Sequence, residues 1–186
     1  VGRGVSLHIA PSNISTNSLY TLAFGLLSGC PSIIRLSNKN IDELRSIMQL
    51  INKILQSSEF VKLSNKISFI NYEHDQTISN YFSSLVASRI LWGGDETIKI
   101  FKSFKTASHC LDIVFPNKVS SSLISSEWLI SSDDNEIANK ADLFARDIGL
   151  FSQMACSSPQ SLIMLKDQKL SSRKELLDFF KKCDLS

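Results

Sequence analysis

The chain has 186 residues, of which 43% are hydrophobic and 20% charged, as expected for a globular protein with a sizeable core. Its formal net charge is only +2 and its basic residues are dispersed, so composition does not favour binding to nucleic acid. No apolar stretch approaches the ~18 residues of a membrane-spanning helix. The N-terminal Val1-Gly2-Arg3-Gly4 has neither an initiator methionine nor the apolar segment of a signal peptide. We therefore expect a cytoplasmic piece of a larger protein.

Apolar runs typical of strands alternate with helical patterns over the first half of the chain. Parallel strands joined by helical crossovers are the economical explanation of such units, which predicts a doubly wound, mostly parallel α/β fold. Gly29 is expected to end the first helix in a left-handed conformation. The apolar residues expected on one face of that helix lie at helical spacing, and they are Leu19, Leu22, Ala23, Leu26 and Leu27. The predicted strands are 4–10, 32–36, 67–70 and 89–92. The first predicted helix is capped by Ser15 or Thr16, the second is capped by Asn40 and runs to about Gln56, the third includes Ile78, and the fourth opens at Asp95.

The pattern changes after residue 110. Serine-rich strands or irregular structure come first, and we expect this serine-rich part to be the most mobile. A helix, a strand and a last helix follow. The corresponding ranges are 110–115 and 119–130, then 136–150, 161–165 and about 172–182.

The four cysteines are widely spaced and form no C-x-x-C pair, and no two histidines lie at the spacing of metal ligands. The pattern therefore predicts no metal site, and free thiols in a reducing compartment are the simplest interpretation. Cys156 differs from the others because it lies among small and polar residues between a helix and a strand. Such a position allows the exposure that thiolate chemistry needs, although a structural role is the alternative.

Open α/β sheets bind ligands at the carboxyl ends of their strands. Here the loops at those ends are Pro11-Ser12-Asn13, Ser37-Asn38, Asn71-Tyr72-Glu73 and Gly93-Gly94. No G-x-G-x-x-G sequence follows the first strand, so the ordinary dinucleotide fingerprint is absent. The glycine pair leads into a helix N-terminus, which can hold a phosphate. Each residue also has a plainer interpretation: the glycines as a turn, Asn13 as a helix cap and Arg35 as a solvated strand end.

Four segments occur in an order and at spacings that resemble the aldehyde dehydrogenase superfamily. Their details are more similar to the acyl-CoA reductase branch, typified by the fatty acid reductase of bacterial luminescence. The resemblance extends over residues 1 to about 166. The segments are Pro11-Ser12-Asn13-Ile14-Ser15, Ile34-Arg35-Leu36-Ser37-Asn38, Trp92-Gly93-Gly94-Asp95 and Gln153-Met154-Ala155-Cys156-Ser157.

The resemblance implies an NADPH-dependent reduction of a fatty acyl thioester, with NAD as the alternative cofactor. By position, Cys156 matches the family nucleophile and Asn13 the side-chain amide of the oxyanion hole. The donor would be a fatty acyl-CoA or an acyl-protein. By the same resemblance, residues 1–132 form a dinucleotide-binding domain and 133–186 the start of a catalytic domain. The full-length protein would then form an oligomer or a multienzyme complex.

The resemblance also assigns the cofactor contacts. Arg35 stands where many members have a lysine that contacts the adenosine ribose, and Ser37 stands near the ribose hydroxyls. Because residue 37 is not acidic, the 2′-phosphate of NADP would be tolerated. Gly93 and Gly94 match the turn beside the pyrophosphate.

One departure from the superfamily narrows the expected reaction. Many aldehyde dehydrogenases carry a glutamate that activates water for deacylation, and Val114 occupies the matching position here. Asp112 is the nearest acid, two residues away. Without the hydrolytic base, reduction of the acyl-enzyme is favoured over its hydrolysis.

Two other interpretations remain open at the level of sequence. A non-catalytic nucleotide-binding or interaction module with the same fold would have a buried, unreactive Cys156. A flavodoxin-like or receiver-type domain is the other, but the receiver version is disfavoured because the strand ends lack clustered acids.

Overall fold

The computed structural model describes residues 2–165 and 173–183. The chain divides into two compact units, Val1–Asn117 and Lys118–Ser186. This boundary lies before the one predicted after residue 132, because the serine-rich segment pairs with a strand of the second unit. The two units are therefore described separately.

The first unit is a five-stranded sheet of order β3-β2-β1-β4-β5 with helices in its connections. All four neighbouring pairs are parallel, which confirms the predicted doubly wound α/β fold. A 3₁₀ turn at Asn38–Asn40 precedes α2. The elements are β1 (Ser6–Ile9), α1 (Asn17–Leu27), β2 (Ser32–Leu36), α2 (Ile41–Leu55), α3 (Val61–Ser64), β3 (Ile67–Asn71), α4 (Gln76–Leu85), β4 (Ser88–Trp92), α5 (Asp95–Ser103) and β5 (Leu111–Phe115).

Apolar clusters cover both faces of this sheet. On one face, Leu22 of α1 and Leu44 of α2 pack with Ile34 of β2. On the other, Phe101 of α5 packs with Leu7 and the rest of a cluster that α4 also covers. Burial of strands on both faces is what a parallel sheet requires.

The buried face of α1 differs from its predicted apolar face. Leu27 is 85% exposed, whereas the buried residues of the helix include Thr21 and Gly25. The physical reason is a close approach of α1 to the sheet. A Cβ added to Gly25 would lie 2.3 Å from Ser32 Oγ and 3.0 Å from the His8 ring. This face of α1 therefore carries small side chains because the helix lies so close to β1 and β2.

The ends of two helices lie where they were predicted, except for an additional turn before α2. Gly29 has the expected left-handed φ of 74°. α2 begins at Ile41, directly after the predicted cap Asn40, but a 3₁₀ turn with Ser37 as its N-cap residue precedes it. The predicted cap Asn40 is helical within that turn, and its side chain lies outside the described atoms.

His8 is buried beneath α1 with one hydrogen-bonding partner. Its Nδ1 lies 2.6 Å from Thr21 Oγ1, while its Nε2 is buried with no described partner. Burial lowers the pKa of His8 to about 4, because a charged imidazole loses its hydration there. The ring is thus neutral at neutral pH.

The second unit pairs two parallel strands, β6 and β7, with three helices. Its core includes Ile124, Leu129, Ala141 and Phe179. The serine-rich segment predicted as strands or mobile irregular structure is a strand followed by a helix. None of the described helices is long and apolar enough to cross a membrane. The elements are β6 (Ser120–Ser125), α6 (Ser126–Ser131), α7 (Asp134–Gly149), β7 (Pro159–Leu165) and α8 (Arg173–Lys182). The predicted start of the last helix, Ser172, lies outside the described residues.

Gly25→Ala should destabilise the first unit by about 1–3 kcal/mol, because the new Cβ would overlap Ser32. The free energy of unfolding from urea titration measures the effect. Gly149→Ala is the matched control, since a Cβ at Gly149 meets nothing within 4 Å and alanine favours helix. Equal stability of the Gly25→Ala variant and the wild type would contradict the close packing of α1.

His8 should make the protein lose stability as pH falls. The unfolded chain takes up the proton near the ordinary pKa of 6.5, whereas the folded chain does so only near 4. The neutral His8 therefore contributes its full stabilisation above about pH 6.5. The free energy of unfolding falls progressively toward pH 4, and the loss is about 2–3 kcal/mol at pH 4.5. Urea titrations at pH 7 and 4.5 should show a smaller pH effect in His8→Asn than in the wild type. Parallel pH dependences in the two proteins would rule this out.

Candidate functional site

The strand order of the first unit reverses at β1. This strand pairs with β2 on one side and with β4 on the other, so the chain turns back across the sheet between β3 and β4. Open α/β sheets bind ligands in the crevice at such a reversal, outside the carboxyl ends of the strands. We call the edge where these strands end the carboxyl edge.

Asn13 lies in the loop that leaves β1 at the carboxyl edge. Its side chain is exposed, and the neighbouring backbone is fixed by a bond from Ala10 N to Arg35 O of 3.2 Å. Thr16, rather than Asn13, is the N-cap residue of α1, and its side chain makes no capping bond. Asn13 is therefore placed beside the sheet reversal without being the helix cap.

Gly93 and Gly94 lie in the loop that leaves β4, the strand next to β1. A Cβ on Gly93 would come 3.1 Å from Thr97, and one on Gly94 would come 3.3 Å from Asn117 Nδ2. Gly94 is the N-cap residue of α5, so no cap side chain covers the first turn of that helix. The loop thus presents backbone N–H groups at a helix N-terminus, where an anion is stabilised.

Arg35 is held at the carboxyl edge by Tyr72. Its Nη2 donates to the Tyr72 carbonyl at 3.0 Å, and its guanidinium carbon lies 5.1 Å from the Tyr72 ring centroid. Its Nε is buried with no described partner. These contacts fix a permanent positive charge where β2 and β3 end. The sequence indicated the loop containing Tyr72 but assigned it no role.

Ser37 has a structural task at the same edge. It is buried, and its Oγ accepts a hydrogen bond from Lys39 N at 3.3 Å. That bond caps the 3₁₀ turn before α2. Ser37 lies one residue beyond the end of β2. A ribose contact from its hydroxyl remains a prediction.

The residue at the position expected for a hydrolytic base is apolar, and the nearest acid forms an ion pair with a buried arginine. Val114 packs against the cluster under α4 and α5. Asp112 accepts two hydrogen bonds from Arg89, from Nε at 2.7 Å and from Nη2 at 2.6 Å. Arg89 is itself 2% exposed and also donates to the Phe101 carbonyl. Removal of one partner of such a buried pair typically costs about 3–5 kcal/mol, so Asp112 serves the fold.

Cys156 is the exposed cysteine of the second unit. Cys30 and Cys183 are buried and Cys110 is intermediate, and burial raises the pKa of the Cys110 and Cys183 thiols. Exposure is what a reactive thiol needs, and it is the opposite of what the non-catalytic alternative predicts. The exposure of Cys156 that its position between α7 and β7 allowed is therefore confirmed.

The loop that carries Cys156 is held in a constrained backbone conformation. Ser152 and Gln153 have left-handed φ values of 49° and 61°, which cost about 1–2 kcal/mol each for residues other than glycine. The Gln153 amide nitrogen donates to Ile148 O at 2.9 Å, and its side chain donates to Pro159 O at 3.2 Å. The loop is thereby tied to both flanking elements.

The structure thus brings Asn13, Arg35, Ser37, Gly93 and Gly94 to one edge of the five-stranded sheet. Cys156 belongs to the second unit, and the predicted pairing of Asn13 with Cys156 stays a prediction. Within the described residues, no group of three His, Cys, Asp or Glu side chains could hold a metal ion.

Comparison with known proteins identifies a family for this chain. Residues 1–179 match the model of the acyl-CoA reductase (LuxC) family. A curated relative, the long-chain acyl-protein thioester reductase of Aliivibrio fischeri, is 24% identical over 165 residues, which are 89% of this chain and 33% of the relative. The chain therefore spans about a third of the length of that relative.

Solved structures similar to this chain are aldehyde dehydrogenases. AldH of Staphylococcus aureus superposes with a TM-score of 0.69 and 18% identity, over 97% of this chain and 36% of its own. The propionaldehyde dehydrogenase of the Clostridium phytofermentans fucose utilisation microcompartment gives 0.70 and 15%, over 97% and 39%. At these identities the similarity shows the fold, which is that of aldehyde dehydrogenases.

Proposed function

The chain belongs to the acyl-CoA reductase (LuxC) family, and from that premise we propose that its full-length protein reduces a long-chain acyl thioester to the aldehyde through Cys156. The single observation that carries the proposal is the exposed Cys156 on a constrained loop, in a chain of this family. A thioester bound to a protein or to CoA is the proposed donor, since the Aliivibrio fischeri relative is named for an acyl-protein substrate.

The first chemical step is acyl transfer to Cys156. The thiolate attacks the carbonyl carbon of the donor thioester, and a new C–S bond forms to Sγ. In the arrangement that the family resemblance implies, the tetrahedral oxyanion would accept hydrogen bonds from the Asn13 side-chain amide and the Cys156 backbone N–H. Collapse breaks the C–S bond to the donor, which leaves as a thiolate and takes up a proton from solvent. The product is an acyl-enzyme on Cys156.

The fate of that acyl-enzyme follows from the missing base. Val114 cannot activate water, and the Asp112 carboxylate is occupied by Arg89. Hydrolysis of the acyl-enzyme to a fatty acid therefore lacks a general base on β5. This favours reduction to an aldehyde as the outcome.

The carboxyl edge fits a nicotinamide dinucleotide. A Cβ at Gly93 or Gly94 would press on Thr97 or Asn117, which explains why this turn carries no side chains. The pyrophosphate would lie against the backbone N–H groups of the first turn of α5. Arg35 would hold the ribose side, and its fixed charge suits the 2′-phosphate of NADP. A bound reduced cofactor would supply a hydride to the thioacyl carbon, and the Cys156 thiolate would leave as the aldehyde forms.

The acyl-enzyme can be detected directly. Incubation of the full-length protein with palmitoyl-CoA in the absence of reduced cofactor should give an acyl adduct on Cys156, located by peptide mass spectrometry. Asn13→Ala should slow adduct formation about 10²–10³-fold, the usual effect of losing one oxyanion donor. Cys110→Ala is the matched control and should acylate normally. A wild-type protein that stays unmodified, or a Cys156→Ala variant that still turns over, would refute the proposal.

Arg35 should set the preference for NADPH over NADH. Arg35→Ala is expected to weaken NADPH binding by about 10–100-fold and NADH binding far less, since it removes a charge-assisted bond to phosphate. Dissociation constants from the fluorescence of each reduced cofactor measure this. Arg45→Ala is the control, because Arg45 is exposed and forms an ion pair with Asp42 within α2. Equal weakening of both cofactors by Arg35→Ala would contradict a role at the 2′-phosphate.

A further inference from the structure

Ser120 makes a hydrogen bond to the cysteine itself. Its Oγ donates to the Cys156 carbonyl at 2.5 Å, across 36 positions of sequence. The other described bonds of the loop involve its flanks: Gln153 with Pro159 O, and Ser158 N with Ala155 O at 3.0 Å. Ser120 is therefore the contact through which β6 acts on the cysteine.

A break in strand register lies at the same residue. Ser120 pairs with Pro159, but Ser121 pairs with Ser161, so Gln160 is an extra residue on β7. A bulge of this kind bends the strand and re-aims the side chains beside it. The irregularity stands where β7 leaves the cysteine loop.

The bond restrains the backbone of Cys156 on its C-terminal side. The peptide plane that follows Cys156 is fixed by its carbonyl, while buried Ala155 and Ser158 anchor the loop on either side of the exposed cysteine. Together these restraints leave the thiol on a backbone with little freedom to turn. Precise placement of a nucleophile strongly affects its rate, since small displacements are costly.

Resting on the proposed function, we infer that Ser120 is a positioning residue: its hydroxyl holds the Cys156 backbone so that the thiol attacks the acyl carbonyl. Its hydrogen bond goes to the Cys156 carbonyl and not to the reacting thiol. Its effect should fall on the acylation rate constant rather than on the affinity for the donor.

The experiment uses the full-length protein and measures Cys156 adduct formation from palmitoyl-CoA in single turnovers. Ser120→Ala should lower the rate constant at saturating donor about tenfold, the effect of roughly one lost hydrogen bond. The donor concentration giving half of that rate should stay unchanged. Ser120→Thr keeps the hydroxyl and suits a strand, so it should restore the rate.

Ser121→Ala is the matched control. Ser121 Oγ lies 2.8 Å from Ser161 Oγ in the same strand pair, so this variant also removes one serine bond but none to Cys156. It should acylate at the wild-type rate. Alkylation of Cys156 by iodoacetamide, which needs no bound donor, should be equally fast in all four proteins.

Each outcome decides the inference. A wild-type acylation rate in Ser120→Ala, a failure of threonine to restore the rate, or an equal loss in Ser121→Ala would overturn it. Altered alkylation in Ser120→Ala would also overturn it, since the loop would then have lost its structure. These results leave the proposed function intact, whereas absence of any adduct in the wild type overturns both.

Discussion

The parallel pairing of β1 with both β2 and β4 is the constraint on which the candidate cofactor site depends. Residues 13, 35 and 93 are far apart in sequence, yet each follows or ends a strand at the same edge. The pairing is in turn maintained by α1, which approaches the sheet closely at Gly25. That approach requires small residues on the buried face and a neutral His8 beneath it. Packing of one helix therefore determines how well three loops are aligned.

A second constraint acts on the chemistry rather than on the alignment. β5 carries Val114 toward the core and commits Asp112 to the buried Arg89. An arginine fork satisfied by one carboxylate and one backbone carbonyl is stable only while all its partners remain. An acid with that duty cannot also act as a base near a reacting group. The same ion pair that stabilises the sheet therefore supports the proposal that the acyl group is reduced rather than hydrolysed.

The alternation of strands and helices was predicted well from the sequence, because the spacing of apolar residues depends directly on which side chains are buried. β2 was predicted with its observed bounds, and α5 begins at Asp95 as expected. The apolar face of α1 was predicted wrongly, because close packing against His8 and Ser32 is a tertiary requirement that leaves no hydrophobic signal. Residues 119–130 were predicted as strands or irregular structure, which includes the strand β6 but misses the helix α6. Serine has little preference for strand or helix, so pairing with β7 decides their structure.

For the same reason, the candidate site could be predicted only in part from the sequence. The resemblance supplied Cys156, and position between two elements supplied its exposure. Nothing in the sequence indicated the contact of Ser120 with the Cys156 carbonyl, because a bulge and a bond across 36 residues depend on strand register. The left-handed Ser152 and Gln153 were equally hidden, since neither residue type favours that conformation. Their cost must be offset by the bonds that tie the loop to α7 and β7. Backbone strain of this kind is often found at functional sites, so its presence beside an exposed thiol supports the role proposed for Cys156.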